Sequence, residues 1–136
     1  MGRRMHSGGC LCGRVRYEYD AEIDEISMCH CSQCQKAQGT AFAAVAPVQG
    51  DSLRIVHGQA YLKTFRATPG KARVFCGECA SPLYSARDDR PEVKRLRIGT
   101  LDTPVQARTQ YHAFVAEKAS WYEITDHWPQ YPDLPA

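Results

Sequence analysis

Cys29-His30-Cys31-Ser32-Gln33-Cys34 places three thiols within six residues. Two further pairs flank it: Cys10-Leu11-Cys12 before and Cys76-Gly77-Glu78-Cys79 after. All seven cysteines of the chain fall in these clusters. Ligand-like spacing of this kind reads as metal binding rather than as scattered core thiols. Seven ligands divide naturally into four and three. Cys10, Cys12, Cys76 and Cys79 would close a structural zinc site, tying the start of the chain to its middle. Cys29, Cys31 and Cys34 would form a three-ligand zinc site with a position left for water or a substrate thiol. In an extended segment Cys29 and Cys31 share a face and His30 points away. A first helical turn from Ser32 returns Cys34 towards them.

Working outward, the 136 residues suit one domain, 1–136, with a core over about 6–128. Hydrophobic residues make up 43% and charged residues 24%, an ordinary composition for a globular chain. A net charge of +2, with acidic and basic residues interleaved, gives no electrostatic footprint for nucleic acid. No apolar run is long enough to span a membrane. The opening Met1 to Gly9 has charge but no apolar core, so it is not a secretory signal. The expected compartment is the cytoplasm, where paired cysteines more often bind metal or do redox chemistry than form disulfides.

The hydrophobic pattern has mostly the period of strands. Val15, Tyr17 and Tyr19 alternate with Arg14, Arg16 and Glu18. Further strands are expected over 26–31, 42–48, 53–56, 60–67, 73–76, 82–86, 93–98 and 106–115. A short helix over 32–38 would have Ser32 as its cap and Gly39 as its stop. The tail from Trp128 to Pro135 holds three prolines and is expected to be irregular. Short strands at close spacing indicate a mainly β fold.

Taken together the motifs resemble the glutathione-dependent formaldehyde-activating enzyme family, also called the centromere-protein-V domain family. The matching pieces are Gly8-Gly9-Cys10-Leu11-Cys12-Gly13, Cys29 to Lys36, and Phe75 to Tyr84. Gly99-Thr100-Leu101-Asp102 and His112 to Trp121 continue the likeness towards Trp128-Pro129. The resemblance implies a β-tent fold of short antiparallel sheets. It implies a knuckle-like structural zinc on Cys10, Cys12, Cys76 and Cys79, and a second zinc, associated with activity, on Cys29, Cys31 and Cys34. The implied reaction joins formaldehyde to glutathione, giving S-hydroxymethylglutathione, or breaks such a carbon–sulfur bond. Two departures stand out. Ala80 occupies a position where the family usually has glycine, which would strain the backbone if φ is positive there. The chain is also short beside the glutathione-using enzyme, so the thiol is left open.

A free thiol, with a pKa near ~8.5, is mostly protonated at neutral pH, whereas a zinc-coordinated one is deprotonated. Three thiolates leave a zinc site with one net negative charge, which favours delivery of a substrate thiol over activation of a carbonyl. Catalysis is therefore expected at Cys29, Cys31 and Cys34, with a small thiol and a small electrophile as partners. His30 is expected to be packed or hydrogen-bonded rather than a ligand. His112 and Trp121 are read as core before pocket lining. Lys36 is either a solvated helix residue or a cation acting on the thiols. Two other functions suit the same residues: a non-catalytic zinc-binding interaction module, and a thiol redox or zinc sensor. The sequence does not name an oligomeric state.

Overall fold

The computed structural model describes residues 5–66 and 68–135. Met1 to Arg4, part of the segment excluded above as a signal, and Ala67, the end of one expected strand, lie outside the described residues. Among the described residues ten strands form: β1 (His6–Gly9), β2 (Arg16–Tyr19), β3 (Glu25–Cys29), β4 (Ala43–Gln49), β5 (Leu53–His57), β6 (Leu62–Phe65), β7 (Lys71–Cys76), β8 (Pro82–Arg87), β9 (Val93–Arg97) and β10 (Thr109–Ala113). The α-helix α1 (Ser32–Gln38) follows β3. The fold is mainly β, as the periodicity requires.

The strands make two sheets, ordered β1-β2-β5 and β10-β3-β4-β9-β8-β7-β6. The alternating face of β2 packs the small sheet onto the large one. Val15, Tyr17 and Tyr19 are at most 2% exposed and meet Ala46, Val48 and Leu96. Burying a large side chain this fully contributes roughly 1.5–3 kcal/mol. Val45, the neighbour of Ala46, therefore points to the opposite face of β4, where it packs with Cys29, Cys34 and Ala43.

Three features differ from expectation. The large sheet is mixed, because β10 runs parallel to β3. Parallel pairing needs a long crossover, and here the chain from β4 to β9 supplies it. β1 lacks a hydrophobic pattern but pairs with β2 from His6↔Tyr19 to Gly9↔Arg16. A Cβ at Gly8 would sit 2.3 Å from the Thr100 carbonyl oxygen, so only glycine permits this close approach. Two elements are shorter than expected: residues 59–61 form a 3-10 turn before β6, and β10 covers only the middle of 106–115. The tail is irregular, as expected, and hydrogen bonds tie it to β10. His112 N–H donates to the Pro129 carbonyl at 2.8 Å, and Tyr131 N–H to the His112 carbonyl at 2.9 Å. Proline has no N–H, but its carbonyl still accepts. Among the described residues no helix is long and apolar enough to cross a membrane.

Candidate metal centres and the adjoining cleft

Two hairpin-like turns bring the outer cysteines together. The sulfurs of Cys10, Cys12, Cys76 and Cys79 all lie within 4.8 Å of one another. Cys10 Sγ is 3.5 Å from Cys12 Sγ, which is 3.8 Å from Cys76 Sγ. Tetrahedral thiolate ligands around zinc, at ~2.3 Å each, would stand about 3.8 Å apart, so the four residues fit the ion. The turns also aim backbone N–H groups at the sulfurs. Val15 N–H donates to Cys10 Sγ at 3.3 Å, Cys12 N–H to Cys79 Sγ at 3.4 Å, and Glu78 N–H to Cys76 Sγ at 3.4 Å. Such donors stabilise thiolates. The Ser81 hydroxyl, 3.2 Å from Cys79 Sγ, is the largest influence pulling that thiol down to about 5. Ala80 takes φ 67°, the left-handed conformation anticipated from its place in the motif.

The inner cluster is built from one continuous segment. Cys29 ends β3, Cys31 precedes α1 and Cys34 lies in its first turn. Their sulfurs also lie within 4.8 Å of one another. The spacing and soft donors fit a metal such as zinc. The helix cap differs from expectation: Cys31, not Ser32, is the N-cap, and its Sγ accepts from Cys34 N–H. Ser32 instead donates its backbone N–H to Glu117 Oε1 at 3.0 Å. Gly39 ends the helix at φ 67°, as expected. Hydrogen bonds from Cys29 and Cys31 hold the Cys34 thiol far below the usual range, with Arg97 and Lys71 adding positive charge. The same sharing pushes Cys29 up, helped by its burial.

A cleft of about 350 Å³ opens over this cluster. Lys71, Arg87, Arg95 and Arg97 line it, together with Glu117 and Phe114. Phe114 is held at φ 57°, an uncommon conformation for a large residue and one that clusters at functional sites. Sequence reading missed all four cations. Their signal lies in register: Lys71 pairs with Arg87, Ser85 with Arg95, and Arg97 with Val45, which pairs with Ser27 two residues from Cys29. Residues directly paired share a face, so these cations and Cys29 stand on one face of the large sheet. Lys36 is exposed and lies outside this cleft.

His30 turns away from the thiols, as alternation requires, and is fully buried. Its Nε2 lies 2.8 Å from His112 Nδ1, and His112 Nε2 lies 3.0 Å from an oxygen of Asp126. With Asp126 ionised, His112 donates to it and His30 donates to His112; Nδ1 of His30 has no partner. Burial pushes the His30 imidazole down to about 4, keeping it neutral. His112 is core, but Trp121 is 71% exposed; Tyr122, not Trp121, sets its ring near His30, tilted at 37°.

The fold and these sites define a mainly β protein with two cysteine clusters, each able to hold a metal ion. The chain belongs to the glutathione-dependent formaldehyde-activating enzyme family, whose sequence model matches residues 5–117. Its fold is also similar to the crystal structure of a Rhodobacter sphaeroides protein, a structural genomics target. The TM-score is 0.59 at 23% identity, covering 72% of this chain and 89% of that one.

Proposed function

We propose that this chain makes or breaks the carbon–sulfur bond between a low-molecular-weight thiol and a small electrophile such as formaldehyde. In this reading Cys29, Cys31 and Cys34 hold a catalytic zinc, and Cys10, Cys12, Cys76 and Cys79 a structural one. The carrying observation is the three-sulfur cluster at the floor of the cation-lined cleft. Among the described residues no fourth cysteine, histidine or carboxylate joins that group within 4.8 Å. Zinc, when bound, supplies a soft Lewis acid that favours the ionised form of a thiol.

The protein's own residues do the rest. Lys71, Arg95 and Arg97 favour negative charge in the cleft, and Phe114 with Val45 excludes water from one wall. The net reaction adds the thiol sulfur to the carbonyl carbon; the C=O π bond opens, and its oxygen gains the proton that the thiol loses. Holding both reactants in one cleft could lower the barrier by up to roughly 7–11 kcal/mol in ideal geometry. Family membership favours glutathione as the thiol. Seven unpaired cysteines suit a reducing compartment such as the cytoplasm.

Exchange of labelled formaldehyde with a panel of thiols, measured at equilibrium by NMR, tests this reading. Wild type should accelerate exchange, and both Cys31→Ser and zinc-stripped protein should lose the acceleration. If no thiol in the panel responds, a non-catalytic zinc-binding module replaces the enzyme.

A further inference from the structure

A second cavity, about 540 Å³, lies beside the thiol cleft, between α1 and strands β7 and β8. Its walls are mainly apolar, with Phe65, Val74, Phe75, Pro82 and Tyr84 prominent. Arg73 also lines it, and the Nη2 of Arg73 is buried without a hydrogen-bond partner. A buried charged donor without an acceptor is strongly unfavourable, so Nη2 of Arg73 is a donor suited to an anion.

The surroundings sharpen this deficit. Register sets Arg73 opposite Ser85 and Ser85 opposite Arg95, with Lys71 opposite Arg87 one pleat away. Like charges ranked across neighbouring strands destabilise a sheet unless something compensates them. Arg87 is compensated: it donates two bonds to Asp89, at 3.0 and 2.7 Å. Arg97 is 4% exposed, yet its bonds go to the neutral oxygens of Gln38, Ser85 and Arg95. Arg97 and Gln33 line both this cavity and the thiol cleft. The two spaces therefore share a wall.

We infer that this cavity binds an apolar molecule carrying an oxyanion, a carboxylate or a phosphate. The oxyanion meets Arg73 and Arg97, and the hydrocarbon or aromatic body lies against Phe75 and Tyr84. Guanidinium groups match both anions in geometry and charge. That this molecule is one of the two reactants, an acidic thiol or aldehyde with an apolar substituent, rests on the function proposed above. That the cavity binds it does not.

Binding is read without turnover, on the zinc-replete full chain, by NMR titration with four probes. 3-Phenylpropanoate and phenyl phosphate carry the two acids. Neutral 3-phenylpropanamide removes the charge, and acetate removes the ring. At least one aromatic acid should bind about tenfold or more tighter than either control, and the tighter of the two names the anion. Arg73→Gln should weaken that binding about tenfold or more, as loss of a charge-assisted bond predicts, and Arg73→Lys should restore part of it. Ala37→Trp, at an exposed helix position lining the cavity, should abolish binding by filling it, with all cations intact. Equal affinity for acid and amide, or unchanged binding in both Arg73→Gln and Ala37→Trp, overturns the inference. The exchange assay can fail while these titrations succeed, so the two readings fall separately.

Discussion

Cys31 Sγ accepts the backbone N–H of Cys34 at 3.3 Å, so the residue that caps α1 is also a member of the three-thiol cluster. Serine is among the best N-cap residues. Cys31→Ser should therefore keep the helix cap and melt within about 1 kcal/mol of wild type, while metal analysis should show loss of the zinc proposed for the inner cluster. A large drop in stability would mean that the inner cluster holds the fold together.

Cys76→Ser removes a thiol of the outer cluster, proposed above as a zinc ligand; that cluster brings together Cys12 and Cys76, 64 residues apart. Structural zinc contributes roughly 10–16 kcal/mol apparent in small peptides. Thermal melts should show a loss of at least ~3 kcal/mol, or no folded protein. Destabilisation equal to that of Cys31→Ser would reverse the roles assigned to the two clusters.

The buried His30–His112 pair ends on Asp126, which is exposed. His112→Ala leaves the His30 donor unsatisfied and opens a cavity, and should destabilise by about 2–4 kcal/mol in urea. Asp126→Asn keeps an acceptor and should lower stability by about 1 kcal/mol. Equal effects would show that burial of the His112 ring contributes nothing.

The Tyr17 hydroxyl lies 2.7 Å from Thr100 Oγ1, and the Thr100 hydroxyl donates to the Arg97 carbonyl at 2.7 Å. Burial pushes the Tyr17 phenol up to about 12. The unfolded phenol titrates near ~10, so between about pH 10 and 12 the unfolded chain loses this proton first. Stability is full below this window and falls as pH rises through it. Tyr17→Phe should lower stability by about 1 kcal/mol at pH 8 and remove this tyrosine's share of the alkaline slope. An unchanged slope would place the alkaline transition elsewhere.

Ala80 sits at φ 67° in the turn where its N–H donates to the Cys76 carbonyl at 2.8 Å. Ala80→Gly should relieve the strain and raise stability by about 0.5–1 kcal/mol, after allowing for glycine's unfolded-state entropy. A loss of stability on denaturant melting would show that the methyl group contributes more by contact than it loses by strain.

Local features were legible because their causes are local. The period of two from Val15 into β2 buried Val15, Tyr17 and Tyr19, the polar run after Cys31 became α1, and Gly39 stopped it. Thiol spacing identified both cysteine groups, and the motif around Cys79 exposed the odd alanine at 80. One local signal misled. Ser32 has the chemistry of an N-cap, but Glu117, brought in from afar, takes its N–H, while Cys31 caps the helix. The proline-rich tail is irregular, as its composition implies, but its tie to β10 through the Pro129 carbonyl and the Tyr131 N–H is a long-range contact that composition does not carry.

By itself the sequence determined a mainly β chain with four distant cysteines for one site and three adjacent ones for another, since strand period and ligand spacing are short-range properties. Only the tertiary structure decided what surrounds the three thiols. Arg95 and Arg97 share a face with Cys29 because β4 pairs with both β9 and β3, and Lys71 and Arg87 join them through β7 and β8. His112 reaches His30 because β10 lies parallel beside β3. Register between strands is set by long-range pairing and the packing of whole sheets, and no short window of sequence contains it.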